Sequence, residues 1–244
     1  MGKIHLIMPM GGAGSRFQKE GYTLPKPLLE INGRPFFYWA AQSVAKYIDC
    51  IDITFVVLRE HIEKYKIKET ILRYYPQARF VVLEQVLNGP LFTCLLGSAD
   101  IHDEKPVIFN DCDHMFKCSQ LNNLINMGNY TDAGSLLTFE SQEPQFSYVR
   151  YLNGKIRETV EKVVASTHAI CGAYVFANIE TFFRAAEIYK KNCPYKEFFM
   201  SGVYNVLCEQ NKQVNDYLVD FHVDYGTPHE YEIAKQSRFF SELE

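Results

Sequence analysis

Gly11-Gly12-Ala13-Gly14-Ser15-Arg16-Phe17-Gln18-Lys19-Glu20-Gly21-Tyr22-Thr23-Leu24-Pro25-Lys26-Pro27-Leu28-Leu29-Glu30-Ile31-Asn32-Gly33-Arg34-Pro35 decides how the rest of the chain is read. Before it, Ile4-His5-Leu6-Ile7-Met8 reads as a buried first strand, and after it the apolar residues of Phe36–Tyr47 recur at helical spacing. A strand that empties into a glycine-rich loop presents backbone N–H groups that can cradle phosphate oxygens. Arg16 closes the glycines and Lys26 follows after a short spacer. The first offers a bidentate guanidinium and the second a point charge. The stretch therefore points to a bound polyphosphate such as a nucleoside triphosphate. It is not the Gly-x-Gly-x-x-Gly of dinucleotide folds, and no acidic residue ends the second strand as that motif requires. Nor does it close on Gly-Lys-Ser/Thr, so hydride transfer and P-loop ATP hydrolysis are both disfavoured.

Working outward, apolar strand-like runs alternate with helical spacing. Ile53–Leu58 reads as a strand, His61–Tyr75 as a helix stopped by Pro76, Arg79–Leu83 as a strand, Leu91–Ala99 as a helix and Val107–Phe109 as a short strand. That alternation predicts a parallel sheet covered on both faces, with ligands at the carboxyl ends of its strands. Three polar clusters fall at such ends: the opening loop, the Gln85–Gly89 turn and the Asp111/Asp113 turn. They should meet in one cleft. Later segments come at closer spacing. Ala133–Glu140, Tyr148–Leu152, Lys155–Val160 and Ile170–Ala177 read as strands, with a hairpin at Asn153-Gly154. Thr181–Lys190 and Met200–Cys208 read as helices, Tyr217–Phe221 as a late strand and Pro228–Lys235 as a closing helix. No linker is visible, so residues 1–244 are read as one domain. Residues 1–130 form its nucleotide-binding half and residues 131–244 its acceptor-binding half.

With 244 residues, 47% of them hydrophobic, the chain can build a full core. Its net charge of −4 argues against nucleic acid as a partner, which normally demands a basic face. The cysteines are scattered and never spaced as CxxC, which suits reduced thiols rather than a disulfide framework or a zinc site. The apolar run before Pro9 is too short for a signal peptide or a membrane span, so no membrane insertion is expected and the chain reads as cytoplasmic. The histidines show no ligand spacing and suit surface or satisfied core positions. The Tyr and Phe residues between 183 and 204 suit core packing, an acceptor pocket or a homodimer face.

Gly-Gly-Ala-Gly-Ser-Arg-Phe followed by Leu-Pro-Lys-Pro-Leu-Leu-Glu-Ile-Asn-Gly-Arg-Pro resembles the signature of the sugar-1-phosphate nucleotidylyltransferase (pyrophosphorylase) family. The resemblance runs in order from about residue 4 to residue 235. It implies a three-layer α/β nucleotide-binding fold with a mixed, mainly parallel sheet, similar to the A-type glycosyltransferases. It implies that Gly11, Gly12, Ala13, Gly14 and Ser15 hold the nucleotide, that Arg16 meets the departing pyrophosphate and that Lys26 meets the α-phosphate. Gln85 and Gly89 stand where the family contacts the base. Asp113-His114-Met115-Phe116 resembles the family's Asp-Asn-Ile-Phe, which makes Asp113 a Mg²⁺ ligand; the other frame makes it Asp111. Both aspartates would lie on one face if the strand ran on that far. Asp224-Tyr225-Gly226-Thr227-Pro228 resembles the element whose Asp supplies the second metal ligand. Glu161-Lys162 is similar to the family's sugar-gripping Glu-Lys-Pro, with Val163 in place of the proline. Ile170–Phe176 resembles the strand whose glycine, here Gly172, lies beside the sugar.

The reaction so implied joins a nucleoside triphosphate to a phosphorylated acceptor and releases pyrophosphate. Gly-Ser-Arg-Phe is similar to cytidylyltransferases and to surface-polysaccharide members of the family. That favours CTP, with a sugar 1-phosphate or a small non-sugar phosphate of the choline-phosphate type as acceptor. Two rivals stand beside it. Asp111-Cys112-Asp113 has the look of an A-type glycosyltransferase DxD, but such an enzyme has no pyrophosphate for Arg16 and Lys26 to hold. A catalytically silent nucleotide sensor would not need Arg16, Lys26 and Asp224 together.

Overall fold

The computed structural model describes residues 2–244. In chain order its elements are β1 (Ile4–Met10), α1 (Ser15–Lys19), β2 (Glu30–Ile31), β3 (Arg34–Pro35), α2 (Phe36–Ala45), β4 (Cys50–Leu58), α3 (Arg59–Tyr65), α4 (Ile67–Tyr74), β5 (Arg79–Leu83), α5 (Pro90–Gly97) and β6 (Val107–Asn110). They continue with β7 (His114–Lys117), α6 (Ser119–Asn126), β8 (Gly134–Glu140), β9 (Ser147–Leu152), β10 (Lys155–Glu161), β11 (His168–Phe176), α7 (Ile179–Asn192), α8 (Ser201–Glu209), β12 (Val214–Leu218), β13 (Phe221–Asp224) and α9 (Pro228–Ala234). One mixed sheet runs through both halves of the chain in the order β10-β9-β11-β6-β1-β4-β5, with β8 on β11 and β12 on β8. β6, β1, β4 and β5 are mutually parallel, whereas β11 lies antiparallel to β6, β8 and β9.

The alternation of side chains along β1 shows how the three layers arise. Ile4, Leu6, Met8 and Met10 pack on the face covered by α2, α4 and α6, and Ile7 packs on the face covered by α5, α7 and α8. A third cluster gathers Phe17, Phe36, Trp39, Met115, Tyr225 and Tyr231. Phe17 meets Tyr22, Phe36 and Tyr231 edge-on at 5.2–6.1 Å, which pins the opening loop to α2 and α9.

Two sequence expectations need correction. The helix expected over His61–Tyr75 is two helices, because Lys66 takes a left-handed conformation (φ 56°) that re-aims α4 and buries Ile67 and Ile71. The late strand expected over Tyr217–Phe221 is two strands: β12 joins the main sheet and β13 turns away to pair with β7. β6 stops at Asn110, so Asp111 and Asp113 sit in the turn between β6 and β7, and the condition for placing both on one strand face is not met.

His5, the polar residue of β1, is 4% exposed and sits between two carboxylates, with Nδ1 2.9 Å from Asp52 and Nε2 3.0 Å from Asp103. Burial alone would lower its pKa, but the two hydrogen bonds and charges outweigh it and hold it above the ordinary value. The native state therefore keeps a proton that the unfolded chain releases near pH 6.5. The stabilisation is complete below that pH and is lost as pH rises through the native value. His5→Leu should destabilise the fold more at pH 6 than at pH 9, by an amount on the order of 1–2 kcal/mol at the acid end. Thermal unfolding at the two pH values checks it.

Candidate active site

Two adjoining cavities open at the carboxyl ends of the parallel strands. The first, about 360 Å³, is lined by Gly11, Gly12, Ala13, Lys26, Val86, Leu87, Gly89, Thr93, Asp111 and Asp113, among others. The second, about 370 Å³, is lined by residues including Arg16, Asp111, Asp113, His114, Glu161, Lys162, Gly172, Phe199, His222 and Asp224. Pro90, Asp111, Asp113 and Glu197 belong to both, so the two form one divided cleft. The three polar clusters thus converge as the strand order requires.

Local chemistry fixes each wall. Gly14 is left-handed (φ 62°) and starts α1, which turns Arg16 toward the second cavity. Gly11 abuts Leu83 so closely that a Cβ would fall 2.6 Å from its Cδ1. Lys26 opens a single 3₁₀ turn, and its Nζ bonds Asp113 Oδ2 at 2.6 Å. Gly89 (φ 99°) packs against the Phe198 backbone and enters the short helix α5 through Pro90. Gln85 is exposed and lines neither cavity; its neighbours Val86 and Leu87 do. Ser15 is exposed and, like Gly14, outside both linings.

The two-stranded sheet β7–β13 carries the acidic centre. Its register sets Asp224 opposite His114. Tyr225 locks the join, its N–H donating to the Asp113 carbonyl (2.9 Å) and its hydroxyl to the His114 carbonyl (2.7 Å). The turn after Asp224 is written into Asp-Tyr-Gly-Thr-Pro-His-Glu. Gly226 N–H donates to Asp224 Oδ1 at 2.8 Å, Thr227 caps α9, and Glu230 completes the capping box. A Cβ on Gly226 would lie 2.8 Å from Asp113 Oδ2 and 3.1 Å from Asp224 Oδ1, so only glycine lets these carboxylates converge.

Three carboxyls and one ammonium make the centre electrically tense. Burial and the charge of Asp113 push Asp111 up to about 7. Burial, Asp113 and Glu230 push Asp224 up to about 8. Burial opposes ionisation of Asp113 too, but its contact with Lys26 outweighs that and holds it below the usual range. Burial would lower Lys26, yet Asp113, Cys112 and Asp111 hold it above its ordinary value. His114 is pushed down to about 4 by burial, and His222 is held well below the imidazole range by burial and by His114.

The chemistry of this donor set fits Mg²⁺, a hard cation that takes one or two carboxylates and completes its shell with water and substrate phosphates. Asp113 and Asp224 converge on one point, and the raised carboxyl of Asp224 marks a place where negative charge lacks compensation. Among the described residues no group of three or more His, Cys, Asp or Glu side chains is placed to hold a metal ion.

The wall of the second cavity that holds Glu161, Lys162 and Gly172 is equally ordered. Glu161 accepts hydrogen bonds from the hydroxyls of Ser147 and Ser201. Lys162 is left-handed (φ 56°), and its Nζ stands 5.8 Å over the Phe199 ring. β11 breaks register between Ile170 and Tyr174 with Gly172 at φ 89°, and the Gly172 carbonyl accepts from Asp111 N–H at 3.0 Å. A Cβ there would fall 3.0 Å from Asp111 Oδ2. Gly172→Ala should therefore cost about 1–2 kcal/mol of backbone strain and displace Asp111. A lower melting temperature with reduced turnover in the same preparation would bear this out.

No protein-family model matches the sequence, and no curated protein matches it. Solved structures do. The nucleoside-diphosphate-sugar pyrophosphorylase from Vibrio cholerae RC9 superposes with a TM-score of 0.79 at 22% identity, over 95% of this chain and 100% of that one. The chain has the sugar-nucleotide pyrophosphorylase fold. The inositol-1-phosphate CTP transferase from T. maritima superposes with a TM-score of 0.75 at 14% identity, over 99% and 94% of the two chains. A UDP-glucose pyrophosphorylase complexed with UDP-glucose gives 0.74 at 19% identity, over 99% and 100%. This is the fold that the opening loop implied by resemblance.

Sequence reading passed over His114 and His222 as ordinary core histidines and did not single out Glu197 as part of the cleft. His222 and Asp224 alternate onto one face of β13, a two-residue period that signals a shared surface once the strand is known.

Proposed function

We propose that the protein is a nucleotidyltransferase that joins a nucleoside triphosphate to a phosphorylated acceptor and releases pyrophosphate. The observation that carries this is the convergence of Lys26, Asp113 and Asp224 at the seam between the two cavities. In this reading residues 1–130 bind the nucleotide and residues 131–244 bind the acceptor. The first cavity takes the nucleotide, with Gly11, Gly12 and Ala13 around its phosphates and Val86, Leu87 and Gly89 beside its base. The second takes the acceptor, with Glu161 and Lys162 on its wall and Gly172 at its floor.

An acceptor phosphate oxygen attacks the α-phosphorus, the bond to the bridging oxygen breaks, and pyrophosphate leaves. The attacking phosphate is already ionised at neutral pH, so no side chain has to act as general base. The work of the protein is positioning and charge neutralisation. Lys26 neutralises the transferring phosphoryl group, and the resemblance gives Arg16 the departing pyrophosphate, although Arg16 lines the second cavity and not the first. Asp113 and Asp224 would hold Mg²⁺, which when bound supplies electrostatic stabilisation of the phosphate oxygens. Asp111 keeps Gly172 and the acceptor-side floor in place through its N–H.

CTP is the favoured nucleotide, supported by the likeness of Gly-Ser-Arg-Phe to cytidylyltransferases and compatible with a fold that a CTP transferase and a UDP-glucose pyrophosphorylase share. A sugar 1-phosphate destined for surface polysaccharide is the favoured acceptor, in a cytoplasmic setting that suits scattered free thiols. Pyrophosphate release from CTP, UTP, dTTP and ATP against hexose 1-phosphates, inositol 1-phosphate and choline phosphate tests the reading. Release that needs both partners and Mg²⁺ is expected; release from none of the pairs would refute it.

A further inference from the structure

His114 and His222 face each other across β7 and β13 with ring centroids 5.4 Å apart. His222 stacks on Phe139 at 4.1 Å and His114 on Phe116 at 5.6 Å, so both rings are held flat against aromatic neighbours. His114 is 3% exposed. Both of its ring nitrogens, and Nε2 of His222, are buried without a well-formed hydrogen bond; the Gly172 backbone stands close enough to His114, and the Cys171 backbone to His222, to raise each imidazole slightly against the effect of burial. Buried imidazole nitrogens are ordinarily paired, and an unpaired group in a native structure asks for a partner. Both rings line the second cavity. Glycine at 172 keeps the approach clear, since a Cβ there would stand 3.4 Å from His114 Nε2.

Resting on the nucleotidyltransferase reading, we propose that His114 and His222 are specificity-determining residues that hydrogen-bond the hydroxyl groups of a polyhydroxylated acceptor phosphate. A neutral imidazole offers one donor and one acceptor, and a hydroxyl group offers the same pair in return. A quaternary ammonium head has neither an N–H nor a lone pair and would leave these nitrogens unpaired. Glu161, fixed by Ser147 and Ser201, supplies a further hydroxyl acceptor on the opposite wall. The pair therefore selects a polyol or sugar phosphate over choline phosphate.

The test uses the whole chain, with His222→Phe, which preserves the stack on Phe139, and His114→Phe, which preserves the stack on Phe116 and removes both ring nitrogens. The wild type should release pyrophosphate with hexose 1-phosphates or inositol 1-phosphate and not with choline phosphate. Each variant should raise KM for that hydroxylated acceptor about tenfold or more with kcat within about threefold, the mark of lost binding rather than lost chemistry. In wild-type protein carrying ¹⁵N-histidine, saturation with the hydroxylated acceptor should shift the ring nitrogens of residues 114 and 222, a readout that stands even if a variant fails to fold. Unshifted ring nitrogens at saturation, an unchanged KM in both variants, or turnover of choline phosphate alone would overturn the inference and leave the nucleotidyltransferase reading intact. Absence of pyrophosphate release from every pair in the wild type would overturn both.

Discussion

Replacing Lys26 by methionine is expected to cut pyrophosphate release by about 10²–10³-fold while the far-ultraviolet circular dichroism stays native. Methionine keeps most of the volume and removes the charge, so the loss reports electrostatics rather than packing. Lys26 is the cation in direct contact with Asp113, at 2.6 Å, with both side chains about three-quarters covered. Its absence leaves Asp111, Asp113 and Asp224 facing one another uncompensated, and Asp113 loses the contact that now holds its carboxyl down. An acid whose native pKa rises makes the native state bind more protons than the unfolded chain, so stability falls as pH rises. The variant should therefore lose more melting temperature at pH 8 than at pH 5. Arg16→Ala makes the contrast: Arg16 is exposed, so its loss should depress turnover without that pH-dependent instability. Near-normal turnover in Lys26→Met would remove the central element of the proposed mechanism.

The parallel half of the sheet was legible because its signals are local. Apolar runs such as Ile53–Leu58 and punctuation by Pro76 and Gly89-Pro90 need only neighbouring residues to be read. The break at Lys66 was not legible, since a lysine in a left-handed conformation carries no mark that a glycine or asparagine would have given. The acidic centre was legible by residue type and not by geometry. Asp111 and Asp113 read as a turn at a strand end, but nothing local shows that the Asp111 N–H is claimed by Gly172, on a strand that arrives from the other half of the chain. The pairing of β13 with β7 is of the same long-range kind. It brings His222 and Asp224 beside His114, and nothing near residue 114 announces it. Local periodicity thus reaches the scaffold, whereas the site depends on joins between residues far apart in sequence.

Asp224→Asn should abolish most turnover, by about 10²-fold or more, and yet yield a protein that melts at a higher temperature in metal-free buffer at pH 9. Asparagine keeps an oxygen to accept the Gly226 N–H that Asp224 now accepts at 2.8 Å, so the turn into α9 survives. What it removes is a buried carboxyl pushed up to about 8 by burial, by Asp113 and by Glu230. An aspartate in the unfolded chain titrates near 4. Below that pH both states hold the proton and the substitution is nearly neutral. As pH rises from about 4 to about 8 the unfolded chain gives up its proton and the native protein keeps it, so the wild type loses stability that the variant retains. Above pH 8 the loss is complete and the gap levels off, at an expected size on the order of 2 kcal/mol, or about 4–8 °C for a chain of this length. Melting curves at pH 5 and pH 9 with a chelator present read the difference directly. A variant less stable than the wild type at pH 9 would mean that Asp224 already has a partner in the free protein. That would contradict the proposal that Asp224 is a carboxylate held in reserve for a cation and substrate phosphate. The expected result carries the opposite meaning: the crowding of Asp113 and Asp224 destabilises the empty protein, and the binding of positive charge at this seam is what relieves it.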